Sequence, residues 1–376
     1  MSGIYLHIPY CKQACNYCDF HFSTTTKGKE DLIQAMHQEI ILRNDYLGNH
    51  PVETIYFGGG TPSILSISEL ESLLETIAKN FSIASYPEIT LEANPDDLNL
   101  EKLNALKSIG INRLSVGIQS FHDNELKMMN RAHQAKDALR CLEQISQLFN
   151  NYSIDLIYGM PESTTKSWEE NLKMLSAFSI PHLSSYALTV EPKTALQHFV
   201  NQGVITLLEE EKVQEQFELL VDFAEENHFI HYELSNFGKE GYFSKNNTAY
   251  WLGKSYLGIG PAAHSFNQTE RSWNVSNNPQ YTKAIQKNTL DIETETLTKK
   301  DRFNEYIMTG LRTMWGVSYE KIALEFGERY VTYLKQNAQK HLENHLLYED
   351  NQTLRTTRKG KFLSDGIASD LFWIVG

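Results

Sequence analysis

Three of the four cysteines in this 376-residue chain fall within eight residues, in the stretch CKQACNYCDF that starts at Cys11. Cys11, Cys15 and Cys18 form C-x3-C-x2-C. Three thiolates on one short loop can hold three irons of a 4Fe-4S cluster and leave the fourth iron open to an outside ligand. Tyr10, Tyr17, Phe20 and Phe22 would give such a cluster an apolar shell, which limits solvent and tunes its potential. The competing use of the same thiols is a structural zinc site completed by His21. Cys141 stands alone on an apolar helical face and reads as core.

The elements around this loop must place it. Short runs rich in Ile, Val, Leu and Tyr predict strands at 3–9, 53–58, 88–94, 113–120, 153–159 and 183–190. Amphipathic stretches separate them, one with a capping-box pattern at Ser68 and Glu71, another running from an Asn99 cap to Gly110. Strands alternating with helices imply an α/β fold on a parallel sheet, barrel or doubly wound. A barrel would gather functional residues at the strand C-termini. Gly58, Gly59 and Gly60 follow the second run, Glu92 and Asn94 end the third, and Gln119 ends the fourth; Asp155 and Tyr186 lie within the fifth and sixth.

Near residue 285 the pattern changes to helices, then a hairpin-like LLYEDNQTLRTT with an Asp-Asn turn and a last helix, as in a winged-helix module. Arg355, Arg358, Lys359 and Lys361 form one basic cluster there, which reads as solvated surface. The whole chain carries a net charge of -13, with 47 acidic and 34 basic residues, so nucleic acid is not the expected partner. Four cysteines so placed are no disulfide framework and suit a reducing compartment. MSGIYLHIPY lacks the basic and apolar regions of a signal peptide, and no run approaches the roughly 18 apolar residues of a membrane span. A cytoplasmic protein is expected, with peripheral membrane contact left open.

These residues resemble the radical SAM superfamily, whose mark C-x3-C-x-aromatic-C is matched by Cys11, Cys15, Tyr17 and Cys18. YFGGGTPS, directly after a predicted strand, is similar to the superfamily's glycine-rich turn. More narrowly, YLHIPYC, EANP, SVGIQSF, NRAH, DLIYGMP, YALTVEPKT and NEYIMTGLRT resemble the coproporphyrinogen dehydrogenase-like family from Tyr5 to the C-terminus. The resemblance implies a partial (β/α)6 radical SAM barrel at 1–285 and a helical, winged-helix-like accessory domain at 286–376. It implies a 4Fe-4S cluster on Cys11, Cys15 and Cys18. It also implies S-adenosylmethionine held by Tyr5, Gly59, Gly60, Thr61, Glu92, Gln119, Arg131, Asp155 and Ala187. Those side chains suit the roles: Arg131 can pair with a carboxylate, and Glu92 and Asp155 can accept from amine or hydroxyl groups.

Two departures then carry weight. Members that decarboxylate coproporphyrinogen III have a fourth cysteine in C-x3-C-x2-C-x-C, where this chain has Phe20. That points to the sister branch of heme chaperones, which bind heme and are implied to deliver it to heme-requiring respiratory proteins. Oxygen-independent coproporphyrinogen III oxidation is the alternative. That branch carries H-N-x-x-Y-W, which here becomes Asn246, Asn247, Tyr250 and Trp251. An amide is a poor ligand for heme iron beside imidazole. His264 is therefore the first candidate for an axial ligand, with Asn247, Tyr250 and Trp251 as further heme contacts.

Overall fold

The computed structural model describes residues 2–374. Seven parallel strands make the heart of one large sheet. In chain order they are β1 (Ser2–Ile8), β2 (Val52–Gly59), β3 (Ile83–Ala93), β4 (Arg113–Gln119), β5 (Tyr152–Tyr158), β6 (His182–Ala187) and, after the short antiparallel β7 (Ile230–Glu233) and β8 (Asn236–Gly238), β9 (Ser255–Ile259). Beyond β9 the antiparallel β10 (His264–Phe266), β11 (Glu270–Asn274) and β12 (Ile292–Thr296) extend the sheet. Strand order is β12-β11-β10-β9-β1-β2-β3-β4-β5-β6-β8-β7, so the two ends never pair and the barrel stays partial.

All six predicted strands form, and β9 adds a seventh on the free side of β1. Each strand carries two kinds of residue in alternation. Ile4, Leu6, Ile55, Phe57, Leu91, Leu114, Val116, Ile154, Leu156 and Leu183 are almost wholly buried in the main apolar core. The intervening positions, among them Tyr5, Thr54, Tyr56, Glu92, Ser115, Asp155 and Ser184, are polar and hydrogen-bonded: Tyr56 donates to Glu92, Ser115 to Asp155 and Thr54 to Asn246, while Ser184 bonds Ser153 and Tyr5 bonds His7. Successive side chains of a strand point to opposite faces, so one face packs on helices and the other lines a polar interior.

The helices begin where the chain offers a cap. Helix Ile67–Asn80 starts two residues earlier than its sequence pattern suggests. Ser66 accepts from Glu69 N and Glu69 bonds back to Ser66, so the capping box is Ser66/Glu69 rather than Ser68/Glu71. Both pairs fit the motif, and Leu70, Leu73 and Ile77 still reach the core. Asn99 caps helix Leu100–Ser108 as expected, and Gly110 takes the left-handed φ of 98° that follows such a helix.

After β12 a second core begins. Helices Lys299–Leu311, Tyr319–Glu325 and Glu328–Glu343 bury Phe303, Ile307, Ile322 and Leu334 with Trp373. Strands β13 (Val317–Ser318), β14 (Leu347–Asp350) and β15 (Thr353–Thr356) form a small sheet in the order β13-β15-β14. Its hairpin turns at Asn351 and Gln352, one residue later than the predicted Asp-Asn turn, because those two residues take the positive φ (47° and 60°) that a tight hairpin needs. The sequence pattern breaks near 285, whereas the large sheet gains β12 after that point.

The two cores are bolted together. Met314 N donates to Tyr232 O at 2.9 Å, Phe217 packs on Phe362 with ring centroids 5.6 Å apart, and Lys361 Nζ donates to His231 O at 3.1 Å. Arg358 pairs with Asp222 at 2.5 Å, and Arg355 with Asp350 at the same distance. Three of the four residues of the C-terminal basic cluster are thus spent within the protein.

Candidate cofactor site

The cysteine loop leaves the C-terminal end of β1 and is stapled on several sides. Cys11 N donates to Ser23 O at 3.0 Å, and Asn16 is gripped through its N to Met129 O and its Nδ2 to Met128 O. Asn130 Nδ2 donates to Ala14 O at 2.7 Å, and Lys12 is ion-paired with Asp96 and Asp97 just beyond β3. A loop with so many fixed backbone partners presents its thiols in a set geometry before any ligand arrives.

Cys11, Cys15 and Cys18 open into one cavity of about 410 Å³. Gly59, Gly60, Thr61, Glu92, Gln119, Arg131, Asp155 and Ala187 line the same cavity. Eleven of the twelve residues assigned from sequence to cluster and S-adenosylmethionine therefore converge on one space. The exception is Tyr5, which lies beneath the cavity, stacked on Tyr56 at 5.9 Å with its hydroxyl 3.4 Å from His7 Nδ1. Ser115, Gly117 and Thr189 also line the cavity and were not singled out from sequence. Strand alternation would have flagged Ser115 and Gly117, since they share a face of β4 with Gln119.

Each functional side chain has a local cause. Gly59 has φ 104°, and a Cβ there would sit 2.6 Å from the His7 ring; a Cβ on Gly60 would sit 2.7 Å from Ile8 O and Tyr10 O. The glycines are needed first so that β2 can pass beneath the cysteine loop. Arg131 is held by Asn94 Oδ1 and Gly117 O, both at 2.7 Å, and its Nη1 donates to Cys15 Sγ at 3.4 Å. Its buried Nε has no hydrogen-bond partner among the described residues, which leaves a donor for an anionic ligand group.

Burial governs the charges. The Cys11 thiol is raised by burial, and Cys18 is pushed up to about 11 for the same reason. Metal binding must displace those protons, so loading of these thiols releases protons and favours higher pH. Glu92 accepts from Tyr56 OH at 2.8 Å and Gly59 N at 3.2 Å, yet burial pushes its carboxyl up to about 7 with Asp155 adding to the rise. Asp155 is likewise raised by burial and accepts from Ser115 and Ser153.

The thiols suit a cluster better than a single ion. His21 hydrogen-bonds Asn278 Oδ1 through Nε2 at 2.7 Å and lies outside the cavity lining. Among the described residues no three Cys, His, Asp or Glu side chains are placed to hold one metal ion. Three thiolates that each bind a different iron of a cluster need not meet at a point.

A second cavity, about 720 Å³, lies between the sheet's antiparallel end and the C-terminal domain. Tyr250 and Trp251 line it, with Tyr256, Tyr306, Trp315, Arg271 and Arg302. The structure does not bring the other proposed heme residues to it. Asn247 lines neither cavity. His264 is exposed at the start of β10, paired with Trp273 of β11 and stacked on its ring at 5.8 Å. Asn246 is buried, donating its N–H to Glu88 and accepting from Thr54 at 3.2 Å.

The chain matches the radical SAM superfamily over residues 5–175 and the HemN C-terminal domain over residues 297–363. With the partial barrel and the three-cysteine loop, this makes it a radical SAM protein. Heme chaperone HemW of Bacillus subtilis is 34% identical over 375 residues, covering 98% of each chain. Heme chaperone HemW of Lactococcus lactis is 33% identical over 367 residues, covering 97% of this chain and 96% of that one. The chain belongs to the HemW family of heme chaperones. Escherichia coli coproporphyrinogen III oxidase (HemN) shares the fold, with a TM-score of 0.85 over 100% of this chain and 90% of that chain, at 22% identity.

Proposed function

We propose that this protein is a heme chaperone that holds a 4Fe-4S cluster on Cys11, Cys15 and Cys18 and S-adenosylmethionine beside it, and passes heme to a heme-requiring respiratory protein. One observation carries the reading. The chain aligns end to end with heme chaperones, while Phe20, 66% exposed at the mouth of the first cavity, fills the place of the fourth cysteine of the porphyrinogen-oxidising branch.

The chain's own residues would act as follows. Arg131, Asn94 and Gly117 O keep a guanidinium donor facing the cavity for the carboxylate of S-adenosylmethionine. Glu92 and Asp155 offer acceptors for its amine and ribose hydroxyls, and the strand ends at Gln119 and Ala187 close the sides. When bound, the cluster supplies one-electron chemistry through its open iron. Tyr250 and Trp251 offer a flat aromatic wall to heme in the second cavity, where Arg271 and Arg302 can meet its propionates. Among the described residues no helix is long and apolar enough to cross a membrane.

The test is a heme titration of cluster-loaded protein followed by absorption, with an anaerobic turnover assay on coproporphyrinogen III alongside. Saturable heme binding without porphyrin oxidation is expected. Stoichiometric protoporphyrinogen would overturn the chaperone reading in favour of the oxidase, the reading that the HemN-like fold keeps open.

A further inference from the structure

The cleft between the sheet's antiparallel end and the C-terminal domain offers rings and cations. Tyr250 meets Tyr256 edge to face with ring centroids 4.5 Å apart, and Tyr256 lies 6.1 Å from Phe266. Trp251, Tyr306 and Trp315 add further aromatic surface. Among the charged groups of the lining, Arg271 pairs with Glu305 at 2.8 Å and Lys321 with Glu325 at 4.0 Å. Lys254 and Arg302 line the same space, and neither has an ion-pair partner among the described residues. The Arg302 Nε is buried and has no hydrogen-bond partner among them either. Two uncompensated cations beside aromatic rings suit a flat molecule that carries two carboxylates.

The same lining offers little to a metal. Among the described residues, none that lines the cleft is His, Cys or Met, three of the four side chains that ligate heme iron. The fourth is Tyr, which binds iron as the phenolate. Burial pushes the phenols of Tyr250, Tyr256 and Tyr306 up, which opposes loss of the proton. Two of these hydroxyls are already engaged: Tyr306 OH accepts from Ser318 N at 2.9 Å, and Tyr250 is hydrogen-bonded to Asn246. Ring contact and carboxylate pairing are therefore what the cleft has to give.

We infer that this cleft recognises a planar tetrapyrrole by its ring face and its two carboxylates and gives the central metal no bond, so that the recipient's own ligand captures the iron. The inference rests on the reading that heme occupies the cleft, and it adds what the cleft reads: the macrocycle and its charges, with the metal as passenger. Transfer then forms one bond, from the iron to a side chain of the recipient, and releases solvent from the iron. No bond between iron and this protein has to break, and the iron keeps its oxidation state. A chaperone that ligated the iron would have to give up that bond at every delivery, which lengthens the residence time of its cargo. Face and carboxylate contacts can instead be surrendered one at a time as the cleft opens.

The experiment titrates the full-length protein with iron(III) protoporphyrin IX, followed by quenching of tryptophan fluorescence, and then displaces the heme with metal-free protoporphyrin IX. The expected result is displacement one for one, with the two affinities within about threefold of each other. The dimethyl ester, which keeps the ring and loses both charges, should bind about tenfold more weakly or worse, a test that needs no variant. Arg302→Leu should weaken heme and metal-free porphyrin by the same factor, again about tenfold. Heme that binds more than about thirtyfold tighter than metal-free porphyrin would show that the protein supplies an iron ligand; it overturns the inference and leaves the heme-chaperone reading standing. An ester that binds as tightly as the free acid, or an Arg302→Leu protein of unchanged affinity, overturns the carboxylate assignment. Failure of both porphyrins to bind overturns the cleft reading and the inference with it.

Discussion

The two cavities of this protein are built in opposite ways. The first is made from motifs: the cysteine loop, the β2 glycines and the ends of β3 to β6 all come from the first 190 residues and are fixed by backbone hydrogen bonds. The second is made from surfaces: helix Lys245–Trp251, β9 to β11 and helix Lys299–Leu311 meet there, and its rings come from both domains. A site on consecutive strand ends inherits its geometry from the sheet. A site between domains inherits it from docking, and its residues are free to vary as long as shape and charge survive.

The largest effect should fall on the first cavity. Cys15→Ala removes one thiolate and also the partner of Arg131 Nη1, so iron loading should be lost outright while the fold persists. Iron content and circular dichroism check this together. Normal iron in the variant would sink the ligand set and, with it, the contrast between a motif-built and a surface-built site.

Next comes the charge stored beneath that cavity. Burial raises the Glu92 carboxyl from its ordinary value of 4.5 to about 7. Between those two values the folded protein holds a proton that the unfolded chain has released, so stability falls as pH rises through the window and the full cost is present above it. The span corresponds to about 3 kcal/mol. Glu92→Gln should flatten this part of the profile in the cluster-free protein, as read from thermal unfolding at pH 5 and pH 8. Parallel pH dependence in the two proteins would show that Glu92 does not carry the buried charge.

How much of this could be seen beforehand follows from the same contrast. The six predicted strands were legible from their apolar runs, Gly59, Gly60, Glu92, Gln119 and Asp155 from a glycine or polar residue at or within the strand ends, and the three cysteines from their spacing, whereas Thr61, Arg131 and Ala187 came only with the family resemblance. Tyr5 was placed in the binding set, yet it lies a layer below, because alternation sends a residue to the interior face without fixing its height along the strand. β9 was not predicted as a strand, since Ser255–Ile259 is short and its pairing with β1 spans the whole barrel in sequence. His264 was chosen for its chemistry alone. The antiparallel register that pairs it with Trp273, away from Tyr250, is a tertiary fact with no local signal. Asn246 likewise looked like a lost ligand, whereas its side-chain amide joins Thr54 of β2 to Tyr250 on the helix that Asn246 and Tyr250 share.

A smaller effect should mark the second cavity. Trp251 is one wall among several rings, so Trp251→Ala should weaken heme binding by about tenfold, the worth of one aromatic stacking contact. Iron loading should be unchanged, since Trp251 lines the second cavity and not the first. Absorbance titration and iron analysis on one preparation measure both. A loss of iron in this variant would mean that the two cavities are not independent pieces of construction.

The smallest effect concerns what holds the C-terminal domain against the barrel. Arg358 bridges to Asp222 at 2.5 Å and Glu225 at 3.7 Å, but these side chains are roughly half exposed. An exposed pair is worth about 0–1 kcal/mol, because water screens it and two long side chains must be immobilised to make it. The same junction has Phe217 against Phe362 and the Met314 N to Tyr232 O hydrogen bond, neither of which needs charge. Arg358→Ala should therefore shift the unfolding midpoint by only a degree or so and leave heme affinity within twofold, whatever the salt concentration. A large, salt-sensitive loss of heme affinity would mean that ion pairs rather than buried contacts set the docking. The surface-built cavity would then be an adjustable one, opened and closed by ionic conditions that leave the cysteine loop untouched.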